Sequence, residues 1–279
     1  MYMNFNIKKG IEEFIILVLS KESLSTILLL QKIQNELSCT KQGFYKALRN
    51  LKKQEIVVIH SKKVSLSYTW VKKQSDFFNS LFYKYTNKNN ILSADFLFLG
   101  NKDSITYKFT NVSMADAFWI HALNILNQKI KEDEPMCIYN PHEWFLLVRS
   151  ESEKALFENM EQVKRKFVVL VDNKMLLDLS VKKYFNFKTN YYYISEKKIF
   201  KKNNYYLNLI GDYCIEVWID KKISNLIDDF YKKTLIFDDQ AKNAFKKIIE
   251  IKGKNKFVIS KNTERSKKFR KIFKKFFII

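Results

Sequence analysis

The sequence predicts a mixed α+β or α/β architecture in two parts: three helices, a hairpin and a trailing helix, then an α/β domain built on a mixed sheet. Three observations predict it. Apolar residues recur at helical spacing through the first fifty positions. Two short β-branched runs joined by lysines follow. Beyond a polar stretch, strand-like apolar runs are interspersed with helical segments. The 279 residues are 47% hydrophobic and 15% aromatic, enough for two cores. With only 5 Gly and 2 Pro, and no GxGxxG or GxxxxGK motif, phosphate-cradling loops are excluded.

The first helix is expected over 5 to 20, where Ile11, Phe14, Ile15, Val18 and Leu19 share a face. A second begins after Ser23, whose hydroxyl can cap it, and continues to Leu37. Ser38 or Thr40 caps a third, about 41 to 53, which buries Phe44, Leu48 and Leu51. "EIVVIH" and "KVSLSY" then form a hairpin about "SKK". Three helices and a hairpin make a winged helix-turn-helix. A fourth helix, 68 to 87, carries Trp70, Phe77, Phe78, Leu81, Phe82 and Tyr85 and packs on the first helix or on a second copy of the chain.

"TNKNN", 86 to 90, reads as the joint, giving domains over 1–87 and 91–279. In the second, "DFLFLG", "SITYKFT", "MCIY", "FVVLVD", "YYYIS", "YYLNLI" and "CIEVWI" read as strands. The last two form a hairpin turning at Gly211-Asp212. Helices are expected over 113–130, 151–165, 174–184 and 221–233. The mixed sheet is expected to end near 235, with a helix, the strand "KFVIS" and a basic helix after it.

A net charge of +21 points to polyanionic partners, nucleic acid or an anionic membrane surface. An AT-rich genome would also raise the lysine count. Residues 40 to 63 concentrate the charge, with seven Lys or Arg against Glu55 alone. The apolar side of the third helix leaves the cations opposite it, as docking in a major groove requires. On that basis Gln42, Tyr45, Lys46 and Arg49 are expected to read bases, and Lys41 and Lys53 to meet phosphates. Thr40 lies at the helix start, and His60, Lys62 and Lys63 on the wing. The bland alternative is a solvated basic helix.

Residues 24 to 68, above all "TKQGFYKALRNLKKQEIVVIHSKKVSLS", resemble the winged helix-turn-helix of TrmB, PadR and MarR type transcriptional regulators. Phe44, Leu48 and Leu51 fill the apolar positions, and Gln54-Glu55-Ile56 replaces the usual Glu-Gly turn. The resemblance implies a cytoplasmic regulator that binds double-stranded DNA as a homodimer, with a second domain sensing a small-molecule or protein effector. The α/β portion is similar to the second domain of TrmB type proteins, which is related to the phospholipase D fold. That chemistry needs a His with a Lys two residues on and an acid beyond. The only such pair is His60-Ser61-Lys62 in the wing, with Ser67 where the acid should stand, so catalysis of that kind is not expected.

No catalytic constellation, cofactor or metal site is read elsewhere. His121 sits in a largely apolar helix as a core residue, and His142 in "YNPHEWF" reads as a structural turn, with a polar and aromatic loop pocket as the alternative. Cys39, Cys137 and Cys214 are too scattered for a disulfide framework and read as thiols in a reducing compartment. "FIILVL" is too short to span a bilayer. The tail from 252 holds eleven Lys or Arg against Glu264, and three readings stay open: a packed helix with a solvated face, a second nucleic-acid contact, or a membrane-surface helix. Two further functional readings stand beside the regulator. One is a replication or mobile-element protein or a nucleic-acid-processing enzyme that docks through the winged helix; the other is a protein-interaction module.

Overall fold

Residues 10–86, 95–130, 134–162, 164–185 and 188–278 are described in a computed structural model of the chain. Two compact units emerge, Met1–Asn89 and Asn90–Ile279. Positions 87–90 of the expected joint and 5–9 of the expected first helix lie outside the described residues.

Unit 1 runs α1 (Ile11–Leu19), β1 (Leu24–Ser25), α2 (Thr26–Glu36), α3 (Lys41–Lys53), β2 (Val57–His60), β3 (Lys63–Leu66) and α4 (Tyr68–Thr86). Its strands form one antiparallel sheet in the order β1-β3-β2. Ile15, Leu29, Ile33, Phe44, Leu51 and Val64 are buried at its centre. One expectation needs correcting. α2 starts two residues later than the sequence suggests, because Leu24 and Ser25 pair with β3 and Ser25, not Ser23, caps the helix by accepting from Leu28 N.

The ends of α3 are set by local chemistry. Thr40 Oγ1 accepts from Gly43 N at 3.0 Å at the start. At the finish, Ile56 N donates to Leu51 O and Glu55 N to Lys52 O, a Schellman closure with Glu55 at the left-handed position, φ 59°. Ser61 and Lys62 turn the hairpin with φ of 50° and 63°, the signature of a two-residue type I′ turn.

Unit 2 carries seven strands in the order β4-β10-β9-β8-β5-β6-β7. They are β4 (Ser104–Phe109), β5 (Met136–Asn140), β6 (Phe167–Val171), β7 (Asn190–Ile194), β8 (Tyr205–Ile210), β9 (Tyr213–Trp218) and β10 (Asn255–Lys261). β5, β6 and β7 are parallel, while β8, β9, β10 and β4 continue antiparallel. β5 and β6 are buried at every position, as strands covered on both faces must be. The helices are α5 (Val112–Lys129), α6 (Phe145–Val148), α7 (Ser150–Gln162), α8 (Leu176–Ser180), α9 (Lys221–Lys233), α10 (Asp239–Ile249) and α11 (Thr263–Phe273).

Side chains alternate between two cores. On the α5 side, Trp119 meets Phe145, Tyr206 and Phe257 edge to face. On the other side, Cys137, Tyr139, Val168, Leu207, Leu209 and Cys214 pack against Phe273 of α11. Burial pushes the Cys137 and Cys214 thiols up to about 12, so both stay protonated. Gly211, at φ 53°, makes the β8–β9 turn, and a Cβ there would meet Ile130 at 2.8 Å.

Three sequence expectations differ from this arrangement. "DFLFLG" is a 3-10 turn, Asp95–Phe98, with Phe96 buried, rather than a strand. The helix expected over 174–184 splits into α8 and a 3-10 turn, Val181–Tyr184. The sheet does not close near 235, because β10 inserts between β4 and β9 and so belongs to the middle of the fold.

Candidate nucleic-acid interface

α3 sorts its residues by the helical period. Phe44, Ala47, Leu48 and Leu51 are buried, which leaves Lys41, Gln42, Lys46, Arg49 and Lys53 exposed. Tyr45 differs from its neighbours: it is half-buried and stands edge-on to Phe44 at 5.2 Å, so it shares its ring between core and surface. Thr40 is exposed, but its hydroxyl is engaged in the cap. Asn50 Nδ2 donates to Glu12 Oε1 at 2.9 Å and fixes α3 against α1.

The wing places His60, Lys62 and Lys63 together at its exposed tip. Lys62 O accepts from Thr26 N at 2.9 Å and from Thr26 Oγ1 at 3.1 Å, tying that tip to the first residue of α2. All ten predicted residues thus lie on α3, its cap or the wing. Lys52, also exposed in the last turn of α3, was not among the residues expected to meet DNA. Among the described residues, none of the Lys or Arg on α3 or the wing has a carboxylate in ion-pair range.

No protein-family profile and no curated protein matches the chain. Solved structures similar to it include the following two. One is TrmBL2, an archaeal chromatin protein described as showing a novel mode of DNA binding, at 11% identity and a TM-score of 0.33 over 98% of this chain and 94% of that one. The other is NucT from Helicobacter pylori, at 14% identity and a TM-score of 0.34 over 62% of this chain and 95% of that one.

Unit 2 brings together residues the sequence could not connect. His142, in the loop after β5, is buried between two carboxylates: its Nδ1 lies 2.9 Å from Asp178 of α8, and its Nε2 lies 3.4 Å from Asp228 of α9. Its ring stacks on Tyr231 at 4.1 Å between centroids. Burial alone would lower its pKa, but the hydrogen bonds and charges of the two aspartates outweigh it and raise it to about 9. His142 thereby links α8 and α9 to the end of β5, more than the turn residue expected from sequence. His121 is half-buried beside Phe118, and burial lowers its pKa.

Next to the clamp, Asp116, Glu143 and Glu153 surround a cavity of about 30 Å³, with Arg149 as its cation. Arg149 Nε lies 2.7 Å from Asp116, and its Nη2 donates to Glu153 at 3.1 Å. Burial raises Asp116 and Glu143 to about 8 and Glu153 to about 7. The three carboxyl-bearing residues are buried. Among the described residues no cluster of His, Cys, Asp or Glu has metal-binding geometry. No helix among them is long and apolar enough to cross a membrane. Separately, a cleft of about 600 Å³ opens between Leu146, Leu177, Tyr184, Ile236 and Lys242.

Proposed function

We propose that this protein is a DNA-binding transcriptional regulator whose α3 lies in the major groove while the wing grips the adjacent backbone. One observation carries the reading: α3 faces outward with unpaired cations and a polar edge, and a second cationic point stands at the wing tip beside it. A helix of this diameter fits a major groove, and Arg and Gln are side chains that can bridge two acceptors or a donor and acceptor on a base edge. Lys41, Lys53, Lys62 and Lys63 supply the sequence-neutral phosphate term, with Thr40 capping and His60 flanking.

Within this reading α4 joins two copies. Val71, Phe78 and Phe82 form one stripe and are 43%, 37% and 58% exposed, while Trp70, Gln74 and Leu81 on the adjoining stripe are half-buried. Twofold pairing would set two copies of α3 about one DNA turn apart. The cleft in unit 2 has the volume of a small-molecule site and fits the sensing role. The protein would work in the cytoplasm.

The test is binding to the chain's own operator. Arg49→Ala and Lys46→Ala are each expected to weaken it by about 1 to 3 kcal/mol, and Arg49→Ala to relax discrimination at one base position. Wild-type affinity in both variants at physiological salt would remove α3 from the interface. Metal-dependent nicking of plasmid DNA by the purified protein would favour a processing enzyme instead.

A further inference from the structure

We propose that the α11 side of the unit 2 sheet is a second contact for duplex DNA, one that holds the phosphate backbone without reading sequence. At the α-helical period, Lys267, Lys268, Lys271, Lys274 and Lys275 fall within an arc of roughly 120°. All five are exposed. Opposite them, Phe269, Ile272 and Phe273 are packed into the core over β8 and β9.

The two arginines of the same segment are committed elsewhere. Arg265 Nη2 lies 2.8 Å from Glu216 of β9, and Arg270 donates to Pro135 O at 2.9 Å and Gly211 O at 3.2 Å. The forked cations thus anchor the segment to the sheet and the point charges are left outside. Among the described residues, none of the five lysines has an ion-pair partner. From Lys267 to Lys275 the row is roughly 12 Å long, enough to follow consecutive phosphates of one strand. A lysine ammonium on a flexible stem suits that task better than base recognition.

The sheet beside α11 extends the surface. Glu216 bonds to Arg265, so the face of β9 that carries Glu216 and Trp218 is the α11 face. Lys256 stands directly opposite Trp218, and Lys108 directly opposite Lys256. Two exposed lysines facing each other across an antiparallel pair repel, and an anion above them would reverse that sign. Glu216 is the one acid on that face of β4, β9 and β10, and Arg265 neutralises it. Glu264, and Glu134 with Asp212 in the groove beside Arg270 and Lys274, are the acids close by.

A membrane surface fits poorly. Insertion requires a free apolar stripe. Here Phe269, Ile272, Phe273, Phe276 and Phe277 are all spent on the protein core. The surface is distinct from α3, and its test does not depend on α3.

The experiment uses the full chain and a fluorescent random-sequence duplex, titrated from about 50 to about 200 mM salt. Replacing the five lysines by Gln is expected to weaken binding about 10-fold and to make the salt dependence shallower by about 2 in slope. Replacing them by Arg should keep both near wild type. The Lys46→Ala, Arg49→Ala double variant should lose preference for an operator and retain the α11 share of the slope. If the Gln variant melts early, the Lys108→Gln, Lys256→Gln pair replaces it, with weaker binding expected. A folded Gln variant that binds like wild type at every salt concentration would overturn the proposal. So would an unmoved Lys108, Lys256 variant, or phosphatidylserine vesicles or single-stranded RNA displacing the duplex at lower concentration than unlabelled duplex does.

Discussion

Glu55 shows what the scarcity of glycine does to single residues. It closes α3 at φ 59°, and Lys164 closes α7 in the same way at φ 50°, with Arg165 N bonded back to Met160 O. A left-handed conformation costs a residue with a Cβ about 1 to 2 kcal/mol. Part of that is offset because glycine has more freedom to lose on folding. Glu55→Gly is accordingly expected to raise the stability of unit 1 by about 0.5 to 1 kcal/mol, read as a shifted denaturant midpoint with an unchanged slope. A lower midpoint would mean that the Glu55 side chain contributes more than its backbone costs. His142 presents the opposite case. Deleting its ring in His142→Ala leaves Asp178 and Asp228 facing each other without a cation, and the expected loss is about 3 to 5 kcal/mol in chemical denaturation. A loss below about 1 kcal/mol would show that the clamp is neutral in the folded protein.

Secondary-structure elements with one strong face were the most legible in the sequence. α3, with Phe44, Leu48 and Leu51 inward and a Thr40 cap, runs over the expected residues, and so do α9 and the β8–β9 hairpin with its Gly211 turn. Elements defined by a distant partner were not. Leu24-Ser25 becomes a strand only because β3 accepts it, and Asp95–Phe98 is a 3-10 turn although its apolar run suits a strand equally well. The candidate interface was legible for the same reason as α3: its cations share one helix and one hairpin, contiguous in sequence. The His142 clamp was not, since Asp178 and Asp228 come from helices placed by the sheet. For α4 the exposed stripe makes its own prediction. If α4 joins two copies as proposed, Phe78→Glu with Phe82→Glu should shift the sedimentation coefficient from dimer to monomer and weaken operator binding, leaving the melting of unit 1 within about 0.5 kcal/mol of wild type. A variant that sediments as wild type would count against the proposed pairing through α4.

At the scale of the whole molecule, buried titratable groups set the pH response of unit 2. The raised pKa of His142 means that its contribution is fully present below the unfolded value near 6.5 and is lost as pH climbs through about 9. Asp116, Glu143 and Glu153 act in the same sense: the folded protein holds protons up to about 7 or 8 that the unfolded chain releases near 4. Melting temperature is therefore expected to be higher at about pH 6 than at about pH 9. A flat or rising profile across that window, measured by circular dichroism, would contradict the buried-charge assignment. His142→Ala should flatten the upper end of the profile.

The place of β10 also bears on how the chain matures during synthesis. Unit 1 is finished early, and its helices and hairpin can settle as soon as they leave the ribosome. The larger sheet waits, because β4 and β9 both require a strand made only at 255–261. Until then β9 lies at an edge of the sheet and β4 stands unpaired, each a template for pairing with a neighbouring chain.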